Sequence, residues 1–147
     1  MLTCACVAAE LGAVFNIFLE PQQLEQVAAM AARFPGVKIV IDHFAMLDLD
    51  KPDSEGIDKI LALAVHPNVY IDTRIQNPSK ESMPFRDMWP NLRKVYDVFG
   101  ARRMIFGNFY EFLIMAELIP FFTEDDKDWI LGKTALSVYK WADSSPS

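Results

Sequence analysis

The chain contains two histidines, and one of them, His43, follows the apolar run VKIVID directly. An imidazole titrates near neutrality, so at the carboxyl end of a buried strand, where parallel α/β folds place their chemistry, it suits a general acid or base or a metal ligand. The competing role is a buried histidine held by Asp42 or by a backbone carbonyl. Arg74 ends a second run, VYIDTR, at the same end of the sheet. Its planar fork matches a carboxylate, and the ordinary alternative is an ion pair with Asp72 or a loop carboxylate. His66 precedes a strand, at the opposite end, and reads as a turn residue. Cys4 and Cys6 have C-x-C spacing, but no second Cys/His pair completes a tetrahedral site. Phosphate-loop spacings and nucleophile elbows are absent from the sequence.

The elements that must position these groups follow from apolar periodicity. Residues 5 to 12 read as a helix tail closed by Gly12, and residues 13 to 19, AVFNIFL, as a buried strand. Leu24, Val27, Ala28, Ala31 and Phe34 recur at helical spacing until Pro35-Gly36. A strand over 38–42 leads into a polar loop, then Ser54 caps a helix carrying Ile57, Ile60, Leu61 and Ala64. After the turn at His66-Pro67-Asn68 come a strand over 69–72, a long polar loop, and a helix with Trp89, Leu92, Tyr96 and Phe99 closed by Gly100. A strand over 104–106 precedes a helix over 112–119, and Thr123 with Asp126 resembles a capping box opening the last helix. The expected order is strand then helix, four times, with parallel strands buried on both faces. Pattern alone leaves a small doubly wound, flavodoxin-like sheet and half of a barrel both open.

With 147 residues, residues 1–141 are expected to form one α/β domain and 142–147 a flexible tail. A complete eight-stranded α/β barrel needs about 250 residues. The net charge of -6, with no basic cluster longer than Arg102-Arg103, argues against nucleic acid and anionic membranes as partners. A hydrophobic content of 52% excludes a disordered chain, and no apolar run reaches the roughly 18 residues of a spanning helix. The start of the chain lacks the basic flank of a secretory signal, and cysteines this close cannot staple a domain, so a cytoplasmic setting is expected.

The wording of four segments is more specific. PGVKIVIDHF at 35–44, HPNVYIDTR at 66–74, FGARRMIFGN at 99–108 and FFTEDDKDWILGKTALSVYKW at 121–141 resemble the second half of an amidohydrolase-related (amidohydrolase family 2) metal-dependent hydrolase. The group includes dicarboxylate lactonases and aminocarboxymuconate-type decarboxylases. The resemblance implies four β/α units of a TIM-barrel-like fold, strands five to eight, with helices outside the parallel strands. It implies a divalent metal, zinc or manganese, held by a His-x-His pair on strand one, a histidine on strand five and an aspartate on strand eight. A histidine on strand six lies close to substrate or metal, and His43 falls on it. The strand-five position offers Asn16 and Glu20 and no histidine. The strand-eight aspartate position is Phe109 without a gap, or Asn108 if the loop is one residue shorter, and Glu111 substitutes only if the loop bends back to the mouth.

The expected site is therefore His43, Arg74 and Asn108, with His43 as the metal-facing residue. The function expected is metal-dependent hydrolysis or decarboxylation of a small carboxylated or cyclic substrate, inactive unless the other half of the barrel is supplied. The alternative is a non-catalytic binding or oligomerisation module on the same scaffold. A half barrel exposes two parallel edges, so a homo-oligomer or association with a missing half is expected.

Overall fold

β-Branched and aliphatic runs supply a four-stranded sheet in the computed structural model of the chain: β1 (Val14–Ile17), β2 (Lys38–Ile41), β3 (Val69–Asp72) and β4 (Met104–Ile105). The structure describes residues 2–51, 56–74, 79–107 and 116–139, with side chains from residue 7 onward. All pairings are parallel and the strand order is β1-β2-β3-β4, the same as the chain order. A doubly wound sheet reverses its order at a switch point, and this one does not, which is the arrangement of consecutive barrel strands. Among the described residues no helix is long and apolar enough to cross a membrane.

Helices alternate with the strands: α1 (Leu2–Leu11), α2 (Leu24–Arg33), α3 (Ile57–Ala62) and α4 (Trp89–Phe99). Successive strand side chains point to opposite faces. Ile39, Ile41, Val69, Ile71 and Met104 point to one face and are fully buried there with Leu24 and Val27 of α2, Ile60 of α3, and Leu92 and Val95 of α4. Val40 and Ile105 point to the other face, with Val14 and Tyr70 beside them.

The helix boundaries follow local chemistry. Pro90 stands in the first turn of α4, where a missing N–H costs nothing, and Gly100 closes the helix with a positive φ of 68°. The capping box expected at Thr123 forms: the Asp126 N–H donates to Thr123 Oγ1 at 3.2 Å, and the Thr123 N–H donates to Asp126 Oδ2 at 2.9 Å. It opens α5 (Glu124–Asp128), which passes through a π-helical turn, Trp129–Lys133, into α6 (Thr134–Tyr139). The widened turn leaves a carbonyl for use elsewhere, and Ile130 accepts the backbone N–H of Phe106, just past β4, at 2.9 Å. Ser54, and residues 112–115 of the helix expected over 112–119, lie outside the described residues; 116–118 are helical.

Asn68 joins two of the units. Its amide nitrogen donates to the carbonyls of Ala31 at 3.3 Å, Phe34 at 3.2 Å and Val37 at 2.9 Å, tying the end of α2 to the start of β3. The side chain is buried, so its loss leaves carbonyls without a partner or water. Asn68→Ala is expected to lower stability by about 2 kcal/mol in urea unfolding.

Candidate functional site at the carboxyl ends of the strands

Register brings the polar residues level. Ile17 pairs with Ile41, Ile41 with Ile71, and Asp72 with Ile105. Phe18, Asp42 and Asp72 therefore stand at one end of the sheet. Asn16 lies one pleat below, on the face opposite α2 to α4, as its pairing with Val40 requires.

The polar loop expected after β2 opens with a tight turn of unusual hand. His43, Phe44, Ala45 and Met46 have φ of 54°, 50°, 53° and 60°. Left-handed backbone costs L-residues roughly 1–2 kcal/mol each, and no glycine relieves it here. Burial holds the turn: Phe44 and Ala45 enter the helix-face core at 1% and 0% exposure. With its neighbours so committed, the His43 ring is turned toward Phe18, edge to face, with ring centroids 5.4 Å apart. His43 Nδ1 is buried and has no hydrogen-bond partner. Among the described residues, neither Asp42 nor a backbone carbonyl holds the imidazole through that nitrogen.

Asp72 ends β3 on the same rim. Its carboxylate accepts the backbone N–H of Arg74 at 2.7 Å. Among the described residues no ion pair joins the Arg74 guanidinium to Asp72. Arg74 is exposed, with its charge acting on Asp72. Burial raises the Asp72 carboxyl above the usual carboxylate value, the charge of Asp42 adds to the rise, and the Arg74 backbone bond, His43 and Arg74 oppose it. Asp42 is raised as well, by burial first, with His43 opposing. Gly107, beyond β4, lies under the Asp72 side chain: a Cβ there would come within 2.6 Å of the Asp72 carboxyl carbon and 2.7 Å of Arg74 Cβ.

Tyr139 of α6 reaches the rim from the opposite face, donating to Asn16 Oδ1 at 3.1 Å. Burial raises its phenol, and the nearby carboxylates Asp42 and Asp72 raise it further. Asp72, Gly107 and Tyr139 are members of this cluster that spacing did not single out. Asp72 was legible only as a possible partner of Arg74, and Tyr139 only as one residue of the segment 121–141. Asn108, Phe109 and Glu111 lie outside the described residues.

The chain matches the model of the amidohydrolase family over residues 3–141. It belongs to the amidohydrolase family. Over 98 residues it is 35% identical to an L-fucono-1,5-lactonase of Burkholderia ambifaria, a match covering 64% of this chain and 33% of that protein. The fold is similar to the crystal structure of an amidohydrolase from Burkholderia multivorans with bound zinc, with a TM-score of 0.73 and 21% identity over 94% of this chain and 57% of that one. A putative 2-pyrone-4,6-dicarboxylic acid hydrolase from Pseudomonas putida gives a TM-score of 0.71 and 18% identity, covering 90% and 53%. This amidohydrolase chain thus spans about half the length of the matched structures and about a third of the curated lactonase.

The divalent metal that the resemblance implies needs three or more protein donors. Among the described residues no three His, Cys, Asp or Glu side chains come together as a metal site. His43 brings one imidazole, and Asn16, whose amide oxygen is taken by Tyr139, stands near the position where the resemblance implies a histidine. The described donor set does not fit the ion.

Two outcomes follow. Gly107→Ala forces the Asp72 carboxylate off its seat and is expected to lower stability by about 2 kcal/mol in thermal or urea unfolding. Asp72 binds its proton more tightly folded than unfolded, so its contribution is fully present below the unfolded value of about 3.8 and is lost as pH rises through the raised folded value. Asp72→Asn, which keeps the acceptor for the Arg74 N–H, is expected to unfold at higher urea than wild type at pH 7, and the difference is expected to shrink as the pH is lowered toward 4.

Proposed function

We propose that the chain is the strand-five to strand-eight half of an amidohydrolase-family barrel that hydrolyses a small cyclic or carboxylated ester, a lactone being the substrate class that the Burkholderia ambifaria relative suggests. The observation that carries this proposal is His43: a strained turn at the strand end holds its imidazole at the rim, with Nδ1 buried and unclaimed by the protein. A structural histidine has its buried nitrogens satisfied, and this one keeps a nitrogen in reserve.

In the proposed reaction the imidazole takes a proton from the attacking water. The water oxygen bonds to the lactone carbonyl carbon, the ring C–O bond breaks, and the proton passes to the departing ring oxygen, giving a hydroxy acid. Arg74, exposed two residues past β3, receives the substrate carboxylate through its fork. Asp72 positions the Arg74 backbone through its 2.7 Å bond. The other half of the barrel supplies the rest of the mouth, so turnover belongs to the assembled form. The described residues assign no step to a metal.

A second proposal, a non-catalytic binding module on the same scaffold, is favoured by one observation: Asn16 bonds to Tyr139 near the position where the resemblance implies a metal-binding histidine.

Hydrolysis of L-fucono-1,5-lactone and a set of dicarboxylate lactones, followed by acid release on size-separated monomeric and assembled fractions, distinguishes the two. Activity in the assembled fraction that falls about 100-fold in His43→Asn supports the enzyme. Arg74→Lys is expected to raise KM with little change in kcat, since an ammonium lacks the bidentate fork. Saturable lactone binding without acid release by any fraction supports the binding module.

A further inference from the structure

The left-handed stretch at His43 has to be held from both sides to persist. On the near side, Ile41 is fixed by its pairing with Ile71 of β3. On the far side, the chain runs through the buried Leu47 and Leu49 and folds back at 48–51, where the Lys51 N–H donates to the Asp48 carbonyl at 3.2 Å. Consecutive L-residues at positive φ store strain, so the backbone unwinds there first if either side is released.

Asn91 holds the far side. It stands in the first turn of α4 and is 1% exposed. Its Nδ2 donates to the carbonyls of Leu49 at 3.0 Å and Lys51 at 2.6 Å, and its Oδ1 accepts from Lys94 Nζ at 3.1 Å. An amide buried this deeply costs desolvation, and what it gains is a fixed position for two carbonyls of the preceding β/α unit. The path back to His43 has little slack: Leu47, Ala45 and Phe44 are buried, and the Leu47 N–H donates to the Phe44 carbonyl at 3.3 Å. The other tie to this segment is weaker. Lys80 Nζ stands 3.4 Å from Asp50, but the Lys80 side chain is 77% exposed, so water screens the pair and a long flexible stem carries it.

We infer that Asn91 is a positioning residue for His43: by fixing the carbonyls of Leu49 and Lys51 it keeps the left-handed turn wound, with the imidazole against Phe18 and Nδ1 unbonded. The use of that placement in lactone hydrolysis rests on the reading proposed above; the placement itself does not. A purely structural Asn91 would loosen every part of the fold alike when lost, whereas a positioning residue acts first on the strained turn.

The chain has two imidazoles, and His66, at the amino end of β3, is an internal control. Proton NMR of the histidine rings in the full chain reads the placement, because the Phe18 ring, edge to face at 5.4 Å, shifts the His43 signals. Phe18→Leu gives the position of those signals without that ring. Asn91→Leu, similar in size but without donors, is expected to move the His43 signals most of the way to that position and to leave His66 where it is in wild type. Asn91→Ser, which keeps one donor, is expected to fall between, and it carries the test if the first variant fails to fold. In the assembled fraction, kcat for lactone hydrolysis is expected to drop about tenfold or more in Asn91→Leu with little change in KM, since the misplaced group is the base and the Arg74 fork is untouched. His43 signals that stay at their wild-type positions in the folded variants overturn the inference. So does movement of both histidines together, which makes Asn91 a support of the whole fold. Displaced His43 signals in a chain that hydrolyses no lactone uphold the inference and count against the hydrolase reading alone.

Discussion

The alternation of side chains along β2 and β3 is the constraint on which the other elements depend. Ile39, Ile41, Val69 and Ile71 all turn to one face and are wholly excluded from water there. That burial fixes the face on which α2, α3 and α4 must lie, because their apolar stripes have no other surface to cover. The pairing of Ile41 with Ile71 then sets the two strand ends level, and so places Asp42 and Asp72 side by side at one rim. A slip of one residue would reverse the faces and scatter the rim.

The rim also shows how a fold can hold a residue in a conformation that its own backbone disfavours. His43 to Met46 wind left-handed, at a cost that recurs with each residue, and burial of Phe44 and Ala45 offsets it. Strain of this kind persists where the surroundings over-determine the backbone, commonly at functional sites. Here it sets the direction of the one imidazole on the rim. The carboxyls of Asp42 and Asp72, both raised by burial, give that imidazole a neighbourhood that is polar but reluctant to carry full negative charge.

Much of this was legible in the chain as written. Gly100, Pro90 and the Thr123/Asp126 box act within a turn of their own position, so the helix ends they specify appear where expected. The strand runs were found as well: the one over 69–72 appears as expected and the other three are trimmed by a residue or more, since pairing and not propensity decides where a strand stops, and the run over 13–19 contributes only Val14–Ile17. The left-handed turn was not legible, because H-F-A-M contains no glycine or asparagine to signal positive φ. The π turn inside the last helix, and the role of Asp72 over Gly107, were equally hidden, since each answers to a partner far along the chain.

The sequence by itself determined the order of strands and helices, the family of the fold, and the presence of a histidine at the end of β2, because these rest on local spacing and on residue types repeated in fixed segments. Tertiary structure alone decided which hand the backbone takes at His43, which groups surround it, and that α6 lies across the second face. Those outcomes depend on contacts such as Tyr139 with Asn16 and Lys38 with Ser137, formed between residues distant in the chain. No local pattern encodes such contacts; they exist only once the sheet has brought its two faces into being.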